Sequence, residues 1–493
     1  MTVGLMSHDP MPSPATAETH ISWLFFTDDR AYKLLKPVTM PFLDHADRGR
    51  RLASVTREFE LNRAISPDLY LGTADVVEHD EIVDRMLVMR RLPPDRSLSE
   101  LTSDPHFDGH LRSVARVIAT LHAGRPPVLD APSTRRPVLE DNWRENFDTI
   151  RPHVGPVIDP DDFETVEQLV TRYLDGRDEL LEHRIADGFV RDVHGDLTAE
   201  DIYCLDDGPR LIDCLAFNDK WRIIDVLNDI GFLVMDMHRL AGWQAAERLM
   251  RWYQEFSNEH HPASLAHHYV AYRAHVRAKI ACVRIGQGDD DTFVPLARRY
   301  HDLTLDHVER ARIRAVIVGG GPGTGKTTVA RAIADHISAP LLSSDEIRKS
   351  VTGTPFDVRR SAAPGEGIYD PASRQAVYTE MRREAETILR NGCGVVLDAT
   401  WTDAATRAEM RKAAEAAGAE IVEIECRLDE ALARERIAAR LHAGGDVSDA
   451  TPELVSVLMA EREPWPEAIR LDTARPLEET LGAAIEATTR LPS

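Results

Sequence analysis

The sequence predicts two architectures in tandem. An α+β region occupies residues 19 to 310, and an α/β domain with a five-stranded parallel sheet occupies 311 to 493. Three observations carry this expectation. Residues 21 to 89 hold short β-patterned runs around one helix, and residues 93 to 310 turn largely helical. From Ala315 onward, apolar strands alternate regularly with helical stretches, the pattern of a parallel sheet wrapped by helices. The length of 493 residues also exceeds a single core, since domains run to about 100–200 residues.

Composition bounds the function. With 43% hydrophobic and 29% charged residues the chain is globular. A net charge of −23, most of it before residue 311, opposes binding to nucleic acid or to an anionic membrane. The five cysteines form no C-x-x-C pair, so a reducing cytoplasm is expected and a zinc site is not. The apolar run Trp23-Leu24-Phe25-Phe26 is too short for a membrane span.

Residues 1 to 18, rich in Met, Pro, Ser and Thr without periodicity, read as a flexible tail. The unit 19–92 follows. Ile21 to Phe26 and Ala31 to Leu35 are expected as strands, Asp44 as the cap of a helix running to Ile65, and Leu69 to Val76 and Ile82 to Met89 as further strands. A mainly helical unit then spans 93–310, with Leu111 to His122 clearly amphipathic and a β-like interruption at Gly188 to Val193 and Leu211 to Asp213. His260, His261, His267, His268 and His275 read as solvated helix residues, because no Cys or carboxylate completes a metal set. Asp225 and Asp229 read as members of a buried hydrogen-bonded network.

The strongest motif is Gly320-Gly321-Pro322-Gly323-Thr324-Gly325-Lys326-Thr327, which matches G-x-x-x-x-G-K-[ST] between an apolar strand and a helical stretch opening at Thr328. Glycines there let backbone N–H groups cradle phosphates, Lys326 reaches the β/γ-phosphates, and the Thr327 hydroxyl is a Mg²⁺ ligand. ATP and Mg²⁺ are the expected cofactors. Asp398, ending the strand Gly394 to Leu397, is the candidate metal-holding acid. Asp345, just past the second strand, is the candidate base for an acceptor hydroxyl.

Residues 313 to 490 resemble the small P-loop kinases related to gluconate kinase, chloramphenicol phosphotransferase and the zeta toxins. The resemblance implies that Asp345 contacts or deprotonates the acceptor. It also implies that Arg436 and Arg440, four residues apart on one helical face, clamp the transferring phosphoryl group. Gly444 to Ala450 would be the mobile part of a lid.

A second constellation lies upstream. His194-Gly195-Asp196 is followed by Asp213, with the hairpin-like Asp206-Asp207-Gly208-Pro209 between them. This places one carboxylate on a catalytic loop and a second on a metal. Lys33 on a strand and Glu58 on the next helix supply a phosphate-holding pair. In this order the residues resemble the aminoglycoside phosphotransferase branch of the protein-kinase-like fold over roughly residues 20 to 305, bilobal with a boundary near residue 92. That resemblance implies Lys33 on the α/β-phosphates, Glu58 pairing it, Met89 near the adenine, Asp196 as base and Asp213 on Mg²⁺. There are two departures. Asp201 stands where the family has a metal-ligating Asn, and Thr27-Asp28-Asp29-Arg30 lacks the glycines of a phosphate-covering loop.

The sequence therefore points to a two-domain, ATP- and Mg²⁺-dependent phosphotransferase for a small hydroxylated acceptor such as a sugar, amino sugar or aminoglycoside. Three alternatives stay open: both domains catalyse, the first domain senses a nucleotide or ligand and regulates the second, or the P-loop domain is a mechanical ATPase.

Overall fold

The computed structural model of the chain describes residues 15–19, 21–40, 43–288, 290–352, 371–443 and 460–489. The chain divides into two compact units, Met1–Thr134 with Arg184–His260 and Arg135–His183 with His261–Ser493. Among the described residues, no helix is long and apolar enough to cross a membrane.

The first unit opens on an antiparallel sheet whose strands run, in spatial order, Ala15–Glu18, Ser22–Phe26, Arg30–Leu35, Glu81–Arg90 and Tyr70–Glu78. The strand Ala15–Glu18 falls within the segment that composition reads as a tail. All four of its residues are exposed, so no buried alternation marks it, and backbone pairing with residues 23–26 holds it. One helix, Arg48–Arg63, packs on the sheet through Val55 and Phe59 against Leu35, Leu69, Tyr70 and Leu87. Its cap is Asp47 rather than the expected Asp44, with the Asp47 carboxylate accepting from the Arg50 N–H at 2.9 Å. Below lies a mainly helical lobe containing Phe107–Gly124, Val226–Ala241 and Trp243–Ser257, with a small hairpin of Ile202–Leu205 and Gly208–Leu211 turning at the expected Asp206-Asp207. An α+β bilobal, protein-kinase-like arrangement is the result.

The second unit centres on five parallel strands in the order Leu341–Ser343, Val395–Asp398, Arg314–Gly319, Glu420–Arg427 and Ile469–Asp472. Their side chains alternate between faces. Val316, Val318, Val396, Ile424 and Cys426 pack against helices Lys326–His336 and Leu477–Thr489 through Val329, Ile333 and Ala484, while the intervening Ala315, Ile317, Val395 and Leu397 are buried on the opposite face. A sheet covered on both faces explains why these strands read as unbroken apolar runs.

Four helices that precede the sheet in sequence, Arg136–Ile150, Pro160–Asp175, Ala263–Ile285 and Asp290–Arg310, belong to this same unit. Sequence texture changes at residue 310, whereas compactness draws its line elsewhere, and buried polar contacts give the reason. The fully buried Arg177 guanidinium donates to the carbonyls of Leu389, Arg390 and Ala417, at the C-terminal ends of helices Pro371–Arg390 and Ala404–Ala416. It thereby supplies donors at two helix C-termini, where the helix itself leaves carbonyls short of partners, and adds to the Gly392 N–H already bound at the Leu389 carbonyl. Glu420, at the start of a sheet strand, takes ion pairs from Arg172 at 3.0 Å and Arg312 at 2.5 Å.

Two of the histidines expected in solvent are instead core residues of these helices. His268 stacks on Tyr173 with ring centroids 4.4 Å apart and accepts from Trp143 Nε1 at 3.3 Å. His275 sits against Trp143 and Phe147, 5.0 and 4.8 Å away, and His301 stacks on Phe163. Burial, followed by the nearby Arg177 charge, pushes His268 down to about 3. Burial likewise holds His301 near 4 and His275 well below its usual range.

Two predictions follow from this packing. Arg177→Met removes the side-chain donor to the carbonyls of Arg390 and Ala417 and one of two donors to that of Leu389, and is expected to cost about 3 kcal/mol. The loss should show as reduced hydrogen-exchange protection in helices 160–175 and 371–390, and unchanged protection there would overturn the capping role. The three neutral histidines take up protons on unfolding but not in the folded state. Stability of this unit is therefore complete above the unfolded value of about 6.5 and falls as pH drops toward 4, by up to about 1.4 kcal/mol per pH unit for each group. Urea midpoints measured across that range, with His275→Phe expected to flatten the slope, test the sign.

Candidate active sites

The P-loop follows the central strand Arg314–Gly319 and leads into the helix Lys326–His336. Gly320 and Gly323 have φ of 149° and 79°, backbone that L side chains rarely adopt. A Cβ on Gly320 would lie 2.7 Å from the Cys426 carbonyl oxygen, and one on Gly323 would lie 2.5 Å from that of Ala433. The loop is thus a tight cradle of backbone that glycine alone permits. The buried Thr324 hydroxyl donates to the Gly321 carbonyl at 2.8 Å and closes the curve. Lys326, Thr327 and Thr328 form the first helical turn, with both threonines exposed at the helix N-terminus.

Register brings the acids to this loop. Asp398 pairs with Val318 on one side and with Ser343 on the other, so three strands end together. Asp398 is 3% exposed, and its Oδ1 is buried without a hydrogen-bond partner. Burial raises its pKa, while Lys326 and a hydrogen bond with Thr327 pull the other way. An orphaned carboxylate oxygen beside a Thr hydroxyl and a Lys suits a hydrated Mg²⁺ bound with a nucleotide. Asp345 opens the helix Ser344–Thr352 after the neighbouring strand, and its carboxylate accepts from Arg348 at 2.7 Å.

Arg436 lies on the helix Glu430–Ala443, its Nη1 3.8 Å from where a Gly325 Cβ would be, and its Nη2 donates to the Thr473 carbonyl at 2.9 Å. Its charge therefore stands beside the phosphate cradle. Arg440 is on the same helix, but its side chain lies outside the described residues, as does the expected lid Gly444 to Ala450.

Sequence reasoning missed the support under this site. Trp401, buried with φ of 52°, follows Asp398 by three residues, and its N–H donates to the Tyr378 hydroxyl at 3.1 Å. That hydroxyl also meets Thr400 Oγ1 at 3.2 Å, and the Thr400 carbonyl accepts from the Gly320 N–H at 3.3 Å. A strained turn is thus tied to the P-loop itself. Neither an isolated Tyr nor an isolated Trp carries a motif that would reveal this.

In the first unit three predicted residues meet. Lys33 Nζ stands 2.8 Å from Glu58 Oε1 and 2.6 Å from Asp213 Oδ1, although the three are distant in sequence. Burial alone would lower the Lys33 pKa, but Asp213 and Glu58 outweigh it and raise it, so the ammonium stays charged. Burial would raise Asp213, and Lys33 instead holds it below its usual value. Asp213 adopts φ of 61° and leaves its side chain half exposed, free to reach a metal. Its N–H donates to the Tyr70 hydroxyl at 3.0 Å, and the next N–H, of Cys214, donates to Asn62 Oδ1 at 2.8 Å. Met89 lies on the strand Glu81–Arg90 opposite Ala31, partly buried against the sheet core.

Asp196 is half-buried on the loop after the strand Val190–Asp192. The fully buried Asp229 holds that loop by accepting from the N–H groups of His194 at 3.3 Å and Gly195 at 2.7 Å. Burial would raise Asp229, but its hydrogen bond with His122 at 3.0 Å keeps it low and ionised. The buried network expected for Asp225 and Asp229 is present, with Asp225 bound by Arg184 at 2.6 and 2.8 Å. Asp201 Oδ2 accepts from the Thr198 hydroxyl at 2.6 Å.

Residues 316–465 match a family model described as an AAA domain. Over 474 residues the chain is 36% identical to the uncharacterized protein Rv2004c of Mycobacterium tuberculosis, covering 95% of this chain and 94% of that protein. A solved gluconokinase from Sinorhizobium meliloti is similar over 36% of this chain and 92% of its own, at 19% identity and a TM-score of 0.27. The ADP-bound aminoglycoside phosphotransferase APH(2'')-Ib is similar over 60% and 95%, at 14% identity and a TM-score of 0.37.

Because burial raises Asp398, the group is expected to lose its charge on acidification earlier than an ordinary carboxylate, and Mg²⁺-dependent ADP binding should weaken as pH falls, at a higher pH than titration of an unperturbed carboxylate would give. Measured in an Asp213→Asn background, Asp398→Asn should lower Mg²⁺ affinity at least about tenfold and remove that pH dependence. A pH response that survives the substitution would assign it to another group.

Proposed function

The chain belongs to the family of the mycobacterial protein Rv2004c, and we propose that it is an ATP- and Mg²⁺-dependent phosphotransferase acting on a hydroxyl of a small metabolite such as a sugar, amino sugar or aminoglycoside, with the P-loop site as its principal seat. The observation that carries this reading is the convergence of the P-loop, the buried Asp398 with its orphaned oxygen, and Asp345 at the ends of adjacent parallel strands.

Bound MgATP supplies the phosphoryl group and the metal charge. The residues would divide the remaining work. Backbone N–H groups of residues 320–325 hold phosphate oxygens, and Lys326 and Arg436 neutralise their charge, with Arg440 assigned the same role. Thr327 and Asp398 hold the metal, and Asp345 orients the acceptor hydroxyl and takes its proton. Arg348, paired with Asp345, fixes that carboxylate in place.

For the first unit, Lys33 paired with Glu58 would hold phosphates, Met89 would border the adenine, Asp213 and Asp201 would hold metal, and Asp196 would act as base. One observation favours a sensor here instead: an Asp201 oxygen is engaged by Thr198, and a carboxylate at that position adds negative charge near a terminal phosphate. A cytoplasmic setting, small-molecule acceptors and no nucleic-acid partner complete the proposal.

The test is acceptor-dependent ADP release by the full chain across a library of sugars and aminoglycosides. Lys326→Ala should reduce the rate at least about 100-fold. Asp196→Asn should abolish a separate set of acceptors if the first unit catalyses, and none if it senses. ADP release that ignores both acceptor and Lys326→Ala would overturn the assignment.

A further inference from the structure

The first unit carries a second concavity that the residues of its nucleotide site do not line. The groove holds about 410 Å³, within the roughly 300–1,000 Å³ span of small-molecule sites. Its floor is apolar: Ile65 just past the helix Arg48–Arg63, Val117 and Leu121 one turn apart on the helix Phe107–Gly124, and Leu211. Arg116, Thr120 and Arg125 supply the polar lining, and no carboxylate is among the described residues that line it.

Charge marks this groove out. Acids outnumber bases in the chain by 82 to 59, and the arginines of this unit are commonly paired, including Arg112, one turn before Arg116 on the same helix, with Glu255 at 2.9 Å. Arg116 and Arg125 have no ion pair among the described residues. Two uncompensated guanidiniums over an apolar floor suit a ligand with an apolar body and one anionic head, because a neutral apolar ligand would leave both charges without a partner.

The groove is also placed to matter. Leu211 precedes Asp213 by two residues and accepts at its carbonyl from Ser66 Oγ at 2.7 Å. Ala64 and Ile65 end the helix that carries Glu58. An occupant therefore touches the supports of both carboxylates that hold Lys33.

We propose that this groove binds a small amphiphilic anion, an apolar body bearing one carboxylate or phosphate. The site stands apart from the phosphotransferase reading and is tested without turnover. The probe is 8-anilinonaphthalene-1-sulfonate, an apolar ring system with one sulfonate, titrated by fluorescence into the full chain with saturating MgADP present. One saturable site is expected, at least about tenfold weaker in Arg116→Glu/Arg125→Glu, largely retained in Arg116→Lys, and blocked in Thr120→Trp, which fills the groove without changing charge. Octanoate or octyl phosphate should displace the probe, and the stronger of the two identifies the head group. Equal affinity in wild type and the charge-reversed variant, binding untouched by Thr120→Trp, or displacement by octanol as effective as by octanoate would each overturn the proposal. Thermal melting of each variant confirms that a lost site is not a lost fold.

Discussion

Parallel register at the central strand is the constraint from which the second unit's chemistry follows. Val318 lies between Asp398 and Ile424, and Asp398 in turn lies beside Ser343, so three strand ends finish at one level. The loop after one strand is the glycine-rich P-loop, the residue ending the next is the buried Asp398, and just past the third lies Asp345. Ligands in open α/β sheets collect at the carboxyl ends of strands for this reason. A slip of one residue would turn Asp398 to the opposite face of the sheet.

The first unit reaches a comparable arrangement by different means. Its sheet is antiparallel and supplies only the lysine, and the two acids that hold it come from a helix and from a residue in left-handed backbone after a hairpin. Long-range hydrogen bonds do the positioning. Tyr70, Asn62 and Asp229 each accept from backbone N–H groups of the segments that carry Asp213 and Asp196, and all three are buried. Such bonds cost little to keep and much to break, because each leaves a buried donor unpaired. The chemistry at the surface of the unit rests on polar groups in its interior.

Burial of charge organises the rest of the second unit. Arg177 is satisfied by main-chain carbonyls, while Glu420 gathers arginines from a preceding helix and from the start of the sheet. These contacts join helices from before residue 310 to the P-loop core. A change of sequence texture at 310 is genuine as local structure, since helix gives way there to alternating strand and helix. It says nothing of which surfaces bury against each other.

Local pattern was enough for the buried strands, the P-loop and most of the pairing of motif with element, because a phosphate loop needs glycines at fixed offsets and a buried parallel strand needs consecutive apolar residues. Lys326, Asp398, Lys33, Glu58 and Asp213 were all legible as candidates from residue type and order. Tertiary structure alone decided the meeting of Lys33 with Glu58 and Asp213, the support of Trp401 by Tyr378, the burial of His268 and His275, and the capping by Arg177. Each depends on contacts between residues far apart in the chain, where neither periodicity nor propensity acts. The edge strand Ala15–Glu18 belongs with these, since its exposed side chains carry no pattern and only its backbone partner makes it a strand.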